Sequence, residues 1–320
     1  MNLATFPPRV LLAALGLFLS YPSLGNGQEL SRSVRLTDEN DYLVFWVPPQ
    51  QRTDDNYSQG VRLSVDLAGA PGFSRRLVCR HRPACGTTME IGQEMYTPTV
   101  DAPEPLPGER PYAGWLYARG AARTGGAGAA RSLALTVGIT GPASLAESVQ
   151  KGLHRRVPSF KTPLGWEHQL PTEVAFAIRA EQAWRIAPPG AAHPHIDLVP
   201  SADLTLGTLR TAMAGGGRLR VGTGLNHPWL TSTASPRFGL TGFVGVRGDI
   251  VARDLFLDGS TFRRSVSVER EPVVLAWERG LSVSFRRFGV EYRAVTRSRE
   301  YRTGPKAHTH GSLTMLWMIR

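Results

Sequence analysis

The commonest pattern along the chain is an alternation of apolar and polar residues with a period of two. In residues 132–140 every second side chain is a leucine, valine or isoleucine, and small or hydroxyl side chains lie between them. Residues 174–186 and 275–286 alternate in the same way, with charged side chains among the off-face positions. Because successive side chains of a strand point to opposite faces, the pattern predicts β-strands.

Similar segments bring the total to about twelve strands: 33–41, 57–68, 87–97, 112–123, 195–207, 217–226, 237–251, 288–300 and 308–319. A soluble sandwich and a membrane barrel both alternate in this way. An even number of strands, each longer than the roughly five or six residues usual in soluble sheets, favours the barrel. We therefore predict an all-β protein, a transmembrane antiparallel β-barrel. Since a barrel closes its own sheet edges, we expect a monomer.

The N-terminus has the outline of a secretory signal peptide. An apolar run over residues 10–20 follows Arg9, and small residues near 23–27 offer a cleavage site. The run is about half the roughly 20 residues that a membrane-spanning helix needs, so we favour a signal peptide over a membrane anchor. We predict a signal peptide over residues 1–27 and an outer-membrane barrel over residues 28–320.

The charge and the cysteines fit an exported protein. The formal net charge of +11 indicates an anionic partner, and export argues against nucleic acid, which leaves acidic lipid or a phosphorylated small molecule. The two cysteines, Cys79 and Cys85, are expected to form a small disulfide loop, because exported proteins meet an oxidising compartment. If the chain enters the barrel from the periplasm, this loop is periplasmic and the loops 42–56, 98–111 and 141–172 lie outside.

Aromatic residues near the predicted strand ends suggest two girdles at the membrane interfaces. They are Tyr57, Tyr96, Tyr112, Trp115, Trp184, Trp229, Tyr301 and Trp317.

Polar residues cluster at the outward ends of the first four strands. Neighbouring strand ends are adjacent in space, so these groups predict a ring of carboxylates, amides and hydroxyls, the oxygen ligands that Ca2+ prefers. The alternative is that such residues only make turns. The four groups are Glu39-Asn40-Asp41, Asp55 to Gly60, Gln93 to Pro98 and Arg110 to Tyr117.

The third outward loop contains the one helix that we predict, a short one. Ser144 and Glu147 have the spacing of a capping box, and the helix is expected to end near residue 156. Gln150 and His154 are four residues apart and share a face. A histidine above a ring of polar groups suits a general base near neutral pH, although a structural role is the alternative.

Five motifs in this order resemble the lipid A 3'-O-deacylase family of the LpxR type. The resemblance continues in Asp254 to Gly259, Thr261-Phe262 and Arg286 to Phe288, and so covers nearly the whole predicted mature chain. The five motifs are Asn40-Asp41, Asp55 to Gly60, Gln93 to Pro98, Glu109 to Trp115 and Gly141 to His154.

The resemblance implies a twelve-stranded outer-membrane barrel whose outer rim carries a Ca2+-dependent esterase site. Its substrate is lipid A of lipopolysaccharide, from which it removes the 3'-linked acyloxyacyl chain. Carried over by position, the site residues are Asn40, Asp41, Ser58, Gln150 and His154. His154 would be the general base, Asn40 and Asp41 would hold or orient the metal, and Ser58 stands where the family commonly has threonine.

Two positions of the family pattern are not matched. The family has a lysine a few residues after the third motif, where this chain reads Thr99-Val100-Asp101-Ala102-Pro103, and a glutamate shortly after the histidine, where no carboxylate precedes Trp166. Glu147 and Glu167 are the candidates to orient His154. Three alternatives stay open: an outer-membrane phospholipase, a barrel that binds lipid or has a structural role without cutting it, and a covalent route through Ser58.

Overall fold

The structure is a computed structural model of the chain. It describes residues 32–46, 55–69, 75–79, 85–126, 128–156, 162–188, 195–223, 225 and 238–319. The predicted signal peptide, residues 1–27, lies outside these ranges.

In the described residues, twelve antiparallel strands form a closed barrel. Each strand pairs with its neighbours in chain order, and β1 pairs with β12, so the predicted fold is confirmed. Among the same residues, no helix has the length and apolar character needed to cross a membrane. The strands are β1 Arg32–Asn40, β2 Asn56–Ala68, β3 Cys85–Thr97, β4 Ala113–Gly125, β5 Ala129–Thr140, β6 Val174–Trp184, β7 Ile196–Gly207, β8 Arg210–Gly222, β9 Phe238–Asp254, β10 Val273–Phe285, β11 Phe288–Ser298 and β12 Ala307–Ile319.

The eighth strand departs most from its predicted bounds. The sequence predicts 217–226, but β8 begins at Arg210 and includes the run of three glycines at 215–217. Such a run is typical of a turn. Here a Cβ on Gly216 would lie 2.3 Å from the carbonyl oxygen of Val246 on β9, so close approach of two strands explains the glycine.

The two faces of the wall have opposite chemistry. Outward positions carry large apolar side chains that are widely exposed, such as Ile91 and Leu135, as expected for a surface that meets lipid. Inward positions carry paired charges, and Arg220 and Arg185 both bind Asp197 at 2.7 Å. Inward side chains, Arg220 among them, line a cavity of about 980 Å³. Much of the basic charge of the chain is therefore neutralised inside the barrel.

A second helix, which the sequence analysis did not predict, closes one mouth of the barrel. Two α-helices occur within the described ranges, α1 at Ala146–Arg156 and α2 at Leu255–Asp258. The Asp254 side chain caps α2 by accepting a hydrogen bond from the Phe256 backbone N–H. The Phe256 ring crosses from β9 to the far side of the barrel, where it stacks on Tyr96 with centroids 4.4 Å apart and meets Trp115 edge-on.

The aromatic residues do not form the two girdles that the sequence suggested. Tyr57, Tyr96 and Trp115 point into the barrel, where Tyr96 and Trp115 pack on α2 and Tyr57 packs on Tyr96; Tyr301 is also buried. Among the named aromatics, Trp317 is widely exposed on the outward face; Trp229 lies outside the described residues. The rings fill the mouth because a barrel interior of this width must be occupied by side chains or water.

The disulfide between Cys79 and Cys85 is present, as predicted. It lies at the opposite end of the barrel from α2, between β2 and β3.

Helix α1 follows a 3-10 turn at Gly141–Ser144 and begins with a different cap from the predicted capping box. The Ser144 hydroxyl donates to the carbonyl of Gly141 at 2.6 Å. Glu147 pairs instead with Lys151, four residues on, at 2.8 Å. The chain changes direction at Leu145, which has a left-handed backbone (φ 61°), and the helix ends at Arg156 as expected.

We predict that the aromatic closure blocks ion flow. In planar bilayers the unmodified protein should show no steady conductance, whereas Leu255→Ala/Phe256→Ala/Leu257→Ala should give single-channel steps, because the charged cavity would then open at both ends. Phe262→Ala, an exposed position in the same loop, is the matched control and should stay closed. Equal conductance of the triple variant and the unmodified protein would show that α2 does not seal the barrel.

Candidate functional site

The predicted site residues lie around the barrel end at which β1 finishes, which we call the Asn40 end. The chain leaves β1 in a 3-10 turn at Asp41–Leu43, and the Asn40 side chain caps this turn by accepting from the Tyr42 N–H at 2.6 Å. The Asp41 carboxylate is buried and accepts from the backbone N–H of Asp55 at 3.0 Å. This bond fixes the start of β2 beside the end of β1.

Ser58 occupies a β-bulge. The register of β2 against β3 shifts between Tyr57 and Gln59, so Ser58 is the extra residue on β2. A bulge re-aims a side chain: Tyr57 points into the barrel, where its hydroxyl donates to Glu39, whereas the Ser58 hydroxyl lies 2.5 Å from that of Thr97. Thr97 is on the same, outward face of β3 as Ile91 and Met95, so Ser58 is directed to the outer wall.

Helix α1 lies against the outside of the barrel. The Gln93 side chain, on the outward face of β3, donates to the carbonyl of Ser144 at 2.6 Å. Next to it on β4, a Cβ on Gly114 would lie 2.1 Å from the Ser144 hydroxyl and 2.4 Å from the Ala146 Cβ. Glycine at position 114 therefore lets the chain approach the wall closely enough to bury Met95 beneath it.

The face of α1 that meets the barrel is polar. Its buried residues are Ala146, Gln150 and His154, which are spaced four apart and form one stripe. The Gln150 side-chain oxygen accepts a hydrogen bond from the Trp166 indole at 2.7 Å. Trp166 packs on Tyr112 and shares a buried cluster with Met95 and Ala146.

The structure thus connects the predicted residues along one wall. Asp41 is bonded to the start of β2, Ser58 links β2 to β3, and the Met95–Trp166 cluster links β3 to Gln150 on α1. His154 lies one helical turn beyond Gln150 on the same buried stripe. The sequence analysis had the helix above the rim of the barrel, and the structure places it against the outer wall instead.

Of the two carboxylates suggested to orient His154, that of Glu147 binds other residues. Its two carboxylate oxygens bind Lys151 and the Gln169 side chain. Glu167 is exposed, in the 3-10 turn at Trp166–His168.

Three residues of this wall were missed by sequence reasoning: Thr97, Gly114 and Trp166. Thr97 and Gly114 lie within two of the five motifs. Their role depends on which face of the strand they occupy, and the bulge and the position of the helix determine that. Trp166 comes 16 residues after Gln150, beyond the end of α1, and no spacing rule relates the two.

A second polar cluster lies behind the first, inside the barrel. Asp55 faces His308, with 3.6 Å between carboxylate and imidazole. Glu300 lies beside Arg297 at 3.0 Å and Arg110 at 3.7 Å. Burial alone would raise the pKa of the Glu300 carboxyl, but the two guanidinium groups outweigh burial and hold this pKa below its ordinary value. Glu300 therefore stays ionised and neutralises the arginines that surround the closed mouth.

The donors beside Asp41 match the chemistry of a hard cation only in part. Carboxylate, amide and hydroxyl oxygens are suitable for Ca2+. In the described parts of the chain, however, no three His, Cys, Asp or Glu side chains lie close enough together to hold a metal ion. A cation here would depend on Asp41, on neutral oxygens such as that of Asn40, and on water or substrate.

The close contact at Gly114 gives a direct prediction. Gly114→Ala should displace α1 from the wall, because its Cβ would overlap Ser144 and Ala146, and amide hydrogen exchange in Ala146–Arg156 should accelerate. Gly120→Ala is the matched control: it lies on the same face of the same strand, where a Cβ would have only the Met89 sulfur within 4 Å, at 3.8 Å. Unchanged exchange in Gly114→Ala would contradict the packing described above.

Comparison with known proteins agrees with this architecture. The solved structure of LpxR from Salmonella typhimurium matches with a TM-score of 0.74 at 17% identity, over 90% of this chain and 100% of that one. The β-domain of the Bordetella autotransporter BrkA matches with a TM-score of only 0.42 at 10% identity, over 90% of this chain and 98% of that one. No curated protein matches this chain. The model of the family described as "Outer membrane protein LpxR" matches residues 11–319, and the chain belongs to that family.

Proposed function

We propose that this protein is an outer-membrane esterase that removes the 3'-linked acyloxyacyl chain from lipid A, with His154 as the general base. The proposal also places the Asn40 end on the extracellular side. Two features support that orientation: the disulfide at the opposite end suits the oxidising periplasm, and the longest loop, which carries α1, lies at the Asn40 end.

The observation that carries the proposal is the position of the polar stripe of α1. Gln150 and His154 are buried on the same stripe as Ala146, which packs with the outward-facing Met95 of the barrel wall. A soluble substrate would be expected to react in the cavity or above the mouth. A site on the outer wall is open to molecules that diffuse within the membrane, and lipid A is such a molecule.

The chemistry follows from the residue types. His154 would take a proton from a water molecule whose oxygen attacks the ester carbonyl carbon, and would return the proton to the departing sugar oxygen. Hydrogen bonds from Gln150 and Ser58 would orient water and ester, and the Trp166–Gln150 bond holds the amide in place. The alkoxide and the carbonyl oxygen acquire charge during the reaction, so the site needs a positive charge or donors beside them.

Ca2+ could supply that charge. Asp41 and Asn40 would hold it, and the bound cation would stabilise the developing oxyanion. The Asp41 oxygen that accepts from Asp55 is fixed in position before any cation binds.

The covalent route through Ser58 has less support. The Ser58 hydroxyl is fully buried and paired with that of Thr97. This pairing suits a residue that orients other groups. We expect a serine-directed inhibitor to leave Ser58 unlabelled.

The first test is the mass of lipid A from cells that express the protein. We expect a fixed mass loss equal to one acyloxyacyl group, and His154→Ala should reduce the rate by roughly 10²–10⁴-fold, the usual contribution of a general base. His168→Ala is the matched control, since this exposed histidine pairs with Glu104 and should leave the rate unchanged.

Other outcomes of that experiment separate the alternatives. Unchanged lipid A, with the barrel correctly inserted, would overturn the proposal and favour a lipid-binding or structural role. Release of fatty acid from phosphatidylethanolamine would instead identify a phospholipase.

The second test concerns Ca2+. A chelator should abolish the mass loss, and Ca2+ should raise the thermal unfolding temperature of the purified protein, because a ligand that binds only the folded state stabilises it. Asp41→Asn should lose this stabilisation, whereas Glu269→Gln, at an exposed ion pair with Arg302, should retain it. A Ca2+ effect of equal size in both variants would remove Asp41 from the proposed metal site.

A further inference from the structure

Helix α1 has three faces of different character. Ala146, Gln150 and His154 form the buried stripe. One residue before Gln150 and His154 are Val149 and Leu153, which we call the apolar edge; they are 45% and 37% exposed, and Leu145, which directly precedes the helix, is 57% exposed. One residue after each member of the stripe are Glu147, Lys151 and Arg155, the charged edge. Because each residue turns the helix by about 100°, the two edges flank the buried stripe on opposite sides.

The contacts of α1 place its charged edge beside a loop. Glu147, on the charged edge, accepts a hydrogen bond from Gln169 in the loop beyond the Asn40 end. Trp166 of that loop and Tyr112 of the loop after β3 pack with Ala146 of the buried stripe. The apolar edge is on the other side of the stripe from Glu147, and its side chains are exposed, as are the outward apolar side chains of β3.

We propose that the apolar edge of α1 lies in the hydrocarbon layer and that the acyl chain of the lipid substrate packs along it. Hydrocarbon is the occupant that fits, because the apolar edge is exposed on a helix that packs against the lipid-facing side of the barrel wall. The charged edge then lies at the level of the headgroup phosphates, where Lys151 and Arg155 meet negative charge. Gln150 and His154 come between the two layers, at the depth at which the ester bonds of a lipid lie.

This inference rests on the proposed function only for the identity of the lipid acyl chain that is cut. The position of α1 can be tested without hydrolysis. Val149→Cys and Arg155→Cys provide matched sites on the two edges, and the two native cysteines form a disulfide with each other. Each variant would also carry His154→Ala and would be labelled with an environment-sensitive fluorophore in bilayers that contain lipids brominated on their chains.

The brominated lipid should quench the probe at position 149 at least about twofold more than the probe at 155, since an interfacial helix buries its apolar face by roughly 5–10 Å. Aqueous iodide should give the reverse order. Equal quenching of the two probes by the brominated lipid would overturn the proposal, whether or not the protein hydrolyses lipid A.

The contact with substrate has its own test. Val149→Ser/Leu153→Ser should raise the apparent KM for lipid A in mixed micelles about tenfold and change kcat less than about twofold, because it removes binding to a chain that does not react. Val273→Ser/Leu275→Ser, at exposed positions of β10 on the far side of the barrel, is the control and should change neither constant. An unchanged KM in the α1 variant would overturn the substrate contact. If lipid A is not cut at all but the probes differ as expected, the esterase proposal fails and the position of α1 stands.

Discussion

The arrangement of this protein depends on one close contact, that of α1 with the outer wall at Gly114. A barrel wall in a membrane has apolar side chains on its outer face, and an uncovered polar group there is costly. Gln93, Ser58 and Thr97 are polar and outward-facing, so each needs a partner or a cover. Gly114 has no side chain, and the chain from Ser144 to Ala146 occupies that space. Gln93 donates to the Ser144 carbonyl, Ser58 and Thr97 pair with each other, and the helix carries Gln150 and His154 on its buried stripe.

The two sides of the wall are therefore used for different purposes. Inside, arginines and carboxylates neutralise one another around the cavity, and α2 with its aromatic partners fills the mouth. The outer wall carries α1. Asp55 connects the two sides, because its backbone N–H binds Asp41 while its carboxylate faces His308 in the interior. The charge of +11 consequently says little about substrate, since most of the inward arginines have carboxylate partners, and Lys151 and Arg155 on α1 are the better guide.

Much of this fold was accessible from sequence because strand alternation is a local property. Leu133 to Ile139 alternate whatever their neighbours are, and α1 ends at Arg156 as its pattern predicts. The sequence analysis was wrong where the structure of a segment depends on a neighbour that is distant in the chain. Gly215–Gly217 resemble a turn until β9 packs against them, and Phe256 resembles part of a loop until the barrel closes and Tyr96 lies opposite. The predicted site residues of β1 and β2 come at neighbouring strand ends, but the bulge at Ser58 decides which face its side chain occupies, and no spacing reveals a bulge.

Residues 99–103, where this chain departs from the family pattern, have a defined structural role. Where a lysine was expected, Asp101 accepts hydrogen bonds from the Tyr112 hydroxyl at 2.5 Å and from the backbone N–H of Leu164 at 2.9 Å. Thr99 accepts from Asn56 and donates its backbone N–H to Glu109. These bonds join the loop after β3 to the loop that carries Trp166. A lysine at position 101 could not accept from either donor, and Trp166 would lose the support that keeps it on Gln150. The acidic residue therefore contributes to the geometry of the helix face, and any positive charge that the reaction needs must come from another element.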